Sequence, residues 1–109
     1  KGSPDVTSGV LEECLKVLTS DKLAGHFHDT YQNALNNIQL CLEKGIKTFD
    51  ASVGGLGGCP YSPGAKGNVA TEKVNKLLMS LGYRTNLNAQ KIDECSEMAL
   101  KLKMGKNYD

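Results

Sequence analysis

Apolar and polar positions alternate along this chain with two periods, one helical and one strand-like. Between Thr7 and Thr19, the residues Val10, Leu11, Cys14, Leu15 and Leu18 recur at helical spacing, with Glu12, Glu13 and Lys16 opposite. This predicts an amphipathic helix whose start Thr7 or Ser8 can cap. The run Leu23-Ala-Gly-His-Phe-His28 reads as a strand. Asp29 then caps a second helix, with Gln32 completing a capping box. That helix buries Ala34, Leu35, Ile38, Cys41 and Leu42, runs to about Lys44 and is closed by Gly45. Ile46 to Val53 reads as a second strand, and Gly54 to Gly67 as a long glycine-rich loop. Val69 to Leu81 forms a third helix with Val74, Leu77, Leu78 and Leu81 on one face and Gly82 at its end. Asn88 caps a fourth, with Ile92, Cys95, Ala99 and Leu102 on one face.

The order is helix, strand, helix, strand, loop, helix, helix. Strands that alternate with helices point to parallel βαβ units and an α/β fold. Parallel sheets need both faces covered or closure into a barrel, and a (β/α)8 barrel takes roughly 250 residues. At 109 residues the chain reads as a piece of a larger α/β fold. It begins at Lys1 with no initiator Met and no visible targeting segment, which also suggests trimmed ends or a fragment.

Composition narrows the function classes. Hydrophobic residues are 39% and charged residues 23%, which is too apolar for a disordered chain. The formal net charge is +1 and the pI about 7.8, so no broad basic face for nucleic acid is expected. No apolar run approaches membrane-spanning length, so no membrane partner is expected either. The four cysteines, Cys14, Cys41, Cys59 and Cys95, form no C-x-x-C pair. Three of them sit in apolar helical patterns, which suggests reduced thiols in a cytosol-like or matrix-like compartment.

Three stretches could carry chemistry. In His26-Phe27-His28, residues two apart on a strand face one way, so both imidazoles share a face and Phe27 turns towards packed helices. Two imidazoles at the carboxyl end of a strand make half of a metal site, or a plain hydrogen-bonded pair. Asp29 reads as a helix cap rather than a ligand. In the second strand, Thr48, Asp50 and Ser52 share a polar face that lines a site or a solvated edge. Asp50 suits an outer partner for an imidazole or a substrate hydroxyl. The loop from Val53 to Gly67 interleaves Leu56, Cys59, Pro60 and Tyr61 with glycines, among them Gly57 and Gly58. Those glycines permit positive φ, close approach to a ligand and hinging. Cys59 lies outside the packed-helix patterns, where a thiol can be a nucleophile, an acid/base or a bystander. Asn68 reads first as a helix N-cap and second as an oxygen donor to a hard cation. Glu72 falls in the first turn of the third helix, where the dipole favours a carboxylate.

The stretches Gly25-His-Phe-His-Asp-Thr-Tyr31, Ser52-Val-Gly-Gly-Leu-Gly-Gly-Cys-Pro-Tyr61 and Gly67-Asn-Val-Ala-Thr-Glu72 resemble 3-hydroxy-3-methylglutaryl-CoA (HMG-CoA) lyases. The resemblance runs from about Pro4 to Ile92, and the Cys-Pro-Tyr loop is its most specific part. It implies that residues 1–109 are a partial TIM-barrel domain of the HMG-CoA lyase-like, pyruvate carboxyltransferase-like kind, incomplete at the N-terminus. The chain would hold about the last three βα units plus a C-terminal helix. His26, His28 and Asn68 match the family's ligands to a divalent cation, Mg²⁺ or Mn²⁺, and Cys59 matches its catalytic cysteine. A further Asp ligand and a catalytic Arg belong to a first strand that this sequence does not contain. Two positions depart from the family pattern. Gln32-Asn33 stands where Gly-Gln is usual, and Lys73 where an acid usually follows the Glu.

The implied reaction is a retro-Claisen cleavage of HMG-CoA to acetoacetate and acetyl-CoA, a step of leucine catabolism and ketone-body formation. Cys59 is then the acid/base candidate, and His26 a metal ligand that could also move a proton. The resemblance further implies a homodimer when full length. It implies a matrix location in a eukaryote and a cytoplasmic one in a bacterium. The alternatives are a sibling acyl-CoA-dependent synthase or aldolase, and a non-catalytic metal- or acyl-CoA-binding fragment. The Cys-Pro-Tyr loop disfavours the synthase.

Overall fold

A computed structural model describes residues 3–57 and 67–106, with side chains given up to residue 102. Its elements are α1 (Pro4–Leu15), β1 (Gly25–His26), α2 (Ala34–Glu43), β2 (Phe49–Asp50), α3 (Thr71–Ser80) and α4 (Ala89–Lys106), with single 3-10 turns at Ser20–Lys22 and Val53–Gly55. The order is the one expected. β1 and β2 pair in parallel, Gly25 opposite Phe49 and His26 opposite Asp50.

The regular strands are shorter than the periodicity predicts. Two residues of each pair directly, because near their carboxyl ends Val69 bonds to both chains. Its N–H donates to the Phe27 carbonyl at 3.1 Å, and its carbonyl accepts from the Ser52 N–H at 3.0 Å. Bridges His28–Asn68 and Ser52–Ala70 flank this point. The residues after the glycine-rich loop are therefore stitched to the ends of both strands.

One face of this small sheet is covered. Ala34, Ile38, Val69 and Val74 form the core, with Phe27, Leu35, Leu42, Phe49, Leu77 and Leu78 packed around them. Ile38 is fully buried. That removes its side chain from water for about 1.5–3 kcal/mol. Gly25 is forced by this packing: a Cβ there would sit 2.7 Å from the Phe27 ring and 2.8 Å from that of Phe49. α2 and α3 each end in a Schellman motif. Gly45 (φ 85°) and Gly82 (φ 88°) take the left-handed position, and the Ile46 and Tyr83 N–H groups reach back to the Cys41 and Leu78 carbonyls.

Several sequence expectations need correction. α1 begins earlier, at Pro4, because Ser3 is its cap and proline fits the first helical position. Its inner face is Thr7, Leu11, Cys14 and Leu15, while Val10 and Leu18 are exposed. Among the described residues α1 packs chiefly on α2, and its second apolar flank stays exposed. α2 starts at Ala34 rather than after Asp29, with no capping box. Gln32 is left-handed at φ 59°, and the Asp29 carboxylate instead accepts from the Ala34 N–H at 3.3 Å. Gln32 thus lies in the turn before the helix, not inside it. α3 begins at Thr71 and has Ala70 at its cap position, so Asn68 is not a cap. Leu81, Cys95 and Leu102 are exposed, so the apolar faces of α3 and α4 are only partly covered. Asn88 does cap α4, its Oδ1 accepting from the Lys91 N–H at 3.0 Å.

Candidate functional site at the strand ends

Phe27 points into the helix-packed core, so its neighbours His26 and His28 project from the opposite face. Their ring centroids lie 5.6 Å apart. Asp50, paired with His26 in register, brings Oδ2 to 3.5 Å from His26 Nδ1. The Nδ1 edge of the His26 ring is thus the one turned towards this carboxylate. All three side chains are exposed on the open face of the sheet.

Asn68 joins this group from the far side of the glycine-rich loop. The bridge to His28 sets its backbone beside that residue. Its Nδ2 donates to the Leu56 carbonyl at 3.1 Å, while its Oδ1 is buried and has no hydrogen-bond partner among the described residues. A buried, unsatisfied amide oxygen is costly and needs an explanation. Two imidazoles and such an oxygen form a donor set that suits a divalent cation, so the residues present fit the expected metal.

The loop base is built around glycine. Gly54, Gly55 and Gly57 all have positive φ. A Cβ on Gly57 would meet Asn68 Nδ2 at 2.9 Å, and one on Gly67 would collide with the Gly57 carbonyl oxygen. The two ends of the loop touch, and only residues without side chains let them. Gly58 and Cys59 lie outside the described residues.

Glu72 does not approach the imidazoles through any hydrogen bond. Its Oε1 accepts from the Gly54 N–H at 3.0 Å, and its Oε2 accepts from the Ser96 hydroxyl. Burial pushes the Glu72 carboxyl up. Hydrogen bonds from Ser96, from its own backbone and from Gly54, together with the charge of Lys73, outweigh that and hold it below the ordinary carboxylate value. Glu72 and Asn68 line one cleft of about 300 Å³ with Asp29, Gly54, Gly55 and Gly67. The sequence reading missed Ser96 and the Leu56 carbonyl. The first is a polar residue within a helix whose apolar neighbours drew attention, and the second is a backbone group with no sequence signature. Of the described cysteines, Cys41 is buried, which pushes its thiol pKa up and leaves it inert.

Parallel strands covered by helices, with polar residues at the strands' carboxyl ends, match a segment of an α/β barrel. The HMGL-like family profile matches residues 2–99, and the chain belongs to that family. It is 52% identical over 91 residues to the hydroxymethylglutaryl-CoA lyase of Pseudomonas mevalonii, covering 84% of this chain and 30% of that one. The HMG-CoA lyase structure from Brucella melitensis superposes with a TM-score of 0.92 at 44% identity, over 95% of this chain and 37% of that one. A structure from Acinetobacter baumannii, an HMG-CoA lyase in complex with coenzyme A and 3-methylmalate, superposes with a TM-score of 0.83 at 32% identity, over 93% of this chain and 33% of its own. The chain therefore spans about a third of the length of these relatives. Curated relatives include lyases named as mitochondrial and as cytoplasmic. No helix among the described residues is long and apolar enough to cross a membrane.

Proposed function

We propose that these residues form one flank of the active site of an HMG-CoA lyase, contributing about the last three βα units of the barrel and a C-terminal helix. The observation that supports this is the His26–His28 ring pair, 5.6 Å apart, with Asn68 bridged to His28 through its backbone and its Oδ1 left unsatisfied. Those three would hold a divalent cation, Mg²⁺ or Mn²⁺. When bound, the cation supplies Lewis acidity and a template for the substrate's hydroxyl and carbonyl oxygens.

The chain's own residues do the rest. Asp50, 3.5 Å from Nδ1, orients the His26 ring, and His26 also serves to pass a proton between the substrate hydroxyl and solvent. Cys59 delivers or removes the proton at the carbon that becomes the methyl of acetyl-CoA. Gly57 and Gly58 let the backbone approach the substrate. Cleavage of the carbon–carbon bond gives acetoacetate and acetyl-CoA, with no covalent bond to the thiol required. Coenzyme A in the related Acinetobacter baumannii structure supports an acyl-CoA substrate. The relatives' names favour the lyase over a sibling synthase. We also place the active form in a homodimer, in the matrix of a eukaryote or the cytoplasm of a bacterium.

The test is a full-length lyase carrying residues 2–99 of this chain in place of its own matching third. His28→Ala should weaken Mn²⁺ binding by at least about 10-fold and acetoacetate release with it. Unchanged Mn²⁺ affinity would remove His28 from the ligand set. A chimera that folds and binds Mn²⁺ but never releases acetoacetate would favour the non-catalytic reading.

A further inference from the structure

We propose that Ser96, acting through Glu72, is a positioning residue that latches α4 onto the base of the glycine-rich loop and so sets the orientation of Asn68. The proposal rests on the lyase reading above.

The Glu72 carboxylate joins three elements distant in sequence. It sits on α3, accepts the N–H of Gly54 in the turn after β2, and accepts the hydroxyl of Ser96 on α4. Two carboxylate oxygens are used for two separate donors, so the side chain has one arrangement that satisfies both. α4 reinforces the same point by packing. A Cβ on Gly54 would lie 3.2 Å from the Ala99 Cβ and 3.6 Å from the Ser96 carbonyl oxygen, and Ala99 is buried. The helix thus lies directly on the Gly54 backbone, one turn wide, and the Ser96 hydroxyl closes it from the side.

Gly54 is also where the loop path is decided. Its φ of 67° begins a run in which Gly55 and Gly57 are left-handed too. Glycine crosses such conformations freely, so this stretch has little intrinsic preference and must be held by its bonds. The Gly55 N–H donates to the Ser52 carbonyl at 2.9 Å. Two residues on, the Leu56 carbonyl accepts from Asn68 Nδ2, and the Gly57 carbonyl accepts from the Asn68 N–H at 3.2 Å. Moving Gly54 moves Leu56, and the Leu56 carbonyl holds the Nδ2 end of the Asn68 amide and so sets where Oδ1 points. The latch therefore reaches the site through two residues of backbone, without Ser96 touching substrate.

The experiment uses the same full-length lyase carrying residues 2–99, with Ser96→Ala, Ser96→Thr and Glu72→Ala. Amide exchange of the peptide containing Gly54 reads the latch without reference to activity. Ser96→Ala and Glu72→Ala should each accelerate that exchange, and Ser96→Thr, which keeps the hydroxyl, should restore it. In steady state, Ser96→Ala should lower kcat roughly 5-fold, the scale of one lost hydrogen bond, with KM for HMG-CoA within about twofold. Ser96→Thr should recover kcat. A residue that merely supported stability would leave kcat unchanged below the melting transition, and that result would overturn the positioning role. Unaltered Gly54 exchange in Ser96→Ala would overturn the latch itself. If the unsubstituted chimera exchanges normally but shows no lyase activity, the lyase reading falls, and with it the catalytic half of the proposal.

Discussion

Asn68 hangs from the Leu56 carbonyl: Nδ2 donates to that oxygen at 3.1 Å, and the bond commits Oδ1 to face inward with no partner among the described residues. An asparagine can do this because its two ends differ, one donor and one acceptor. Asn68→Asp removes the donor and sets a carboxylate oxygen against a carbonyl. We expect a loss of about 1–3 kcal/mol of stability without metal. Mn²⁺ should restore a large part of it, because a carboxylate is a better ligand for a hard cation. Asn68→Ala should lose stability with no such recovery. Thermal melts with and without Mn²⁺ distinguish the cases, and equal metal-induced shifts in both variants would argue that Asn68 is not a ligand.

Gln32 occupies a backbone position with φ 59°, where the family resemblance puts glycine. A residue with a Cβ gives up about 1–2 kcal/mol there, while glycine costs roughly 0.5–1 kcal/mol in unfolded-state entropy. Gln32→Gly should therefore gain about 0.5 kcal/mol. Asn86, at φ 61°, belongs to a type that tolerates this region, so Asn86→Gly should be closer to neutral. Denaturant midpoints of the two variants measure the difference. A destabilised Gln32→Gly would mean that the side chain makes up the strain elsewhere.

These two positions show what the sequence could and could not convey. Element order, the parallel pairing, the shared face of His26 and His28 and the closure of α2 by Gly45 were all legible, because each depends on local periodicity or on a glycine-specific dihedral. The start of α2 was not, since Asp29 caps it from five residues away and the intervening turn needs a left-handed Gln32 that the sequence does not announce. Asn68 looked like a helix cap for the same reason. The sequence offers no sign that its Nδ2 bonds instead to the Leu56 carbonyl across the loop. The Glu72–Ser96 contact spans 24 residues and has no local signature. Helical spacing puts Cys95 and Leu102 on one face with the buried Ala99, but spacing alone does not say how much of a helix its neighbours cover, and both are exposed.

Glu72 makes stability depend on pH. Its carboxyl is held below the ordinary value in the folded chain, so the ionised form is favoured by folding. The contribution is fully present above the unfolded value of about 4.3 and is lost as pH falls through the lower folded value. Glu72→Gln should flatten the acid limb of a stability–pH curve while leaving the region near pH 7 with only the loss of the charged bonds. Parallel acid limbs for the two proteins would show that other carboxylates set the acid response.

Cys59 is tested by Cys59→Ser in the full-length lyase carrying residues 2–99. The hydroxyl keeps the shape but is a far weaker acid/base near neutrality. Turnover should fall by roughly 10²-fold or more, with fold and Mn²⁺ affinity retained. Alkylation of the unsubstituted protein should inactivate it, and bound substrate should slow the loss. Turnover within a few-fold of the unsubstituted enzyme would reduce Cys59 to a bystander.

A polypeptide of only these 109 residues should neither cleave HMG-CoA nor stay monomeric. The accessible surface is 7610 Å², against about 5,900 Å² for a compact monomer of 11.7 kDa. The radius of gyration is 15.0 Å, where a compact chain of this length has about 13 Å. The molecule is a slab, 48 × 34 × 19 Å, covered on one face of its sheet and open on the other. Val6, Val10, Val17 and Leu18 on and after α1 are exposed together with Met98 and Leu102 on α4. Apolar flanks and open strand edges of this kind associate. The proposed ligands number three, His26, His28 and Asn68, and the further Asp ligand and Arg that the resemblance implies would come from outside these 109 residues. Sedimentation of the purified chain should show oligomers or aggregate, and an acetoacetate-release assay with Mg²⁺ should read background. Adding the N-terminal two-thirds of a related lyase in trans should raise activity if the edges re-pair. Clear turnover by a monodisperse monomer of the chain alone would overturn the assignment of missing catalytic groups to the rest of the barrel.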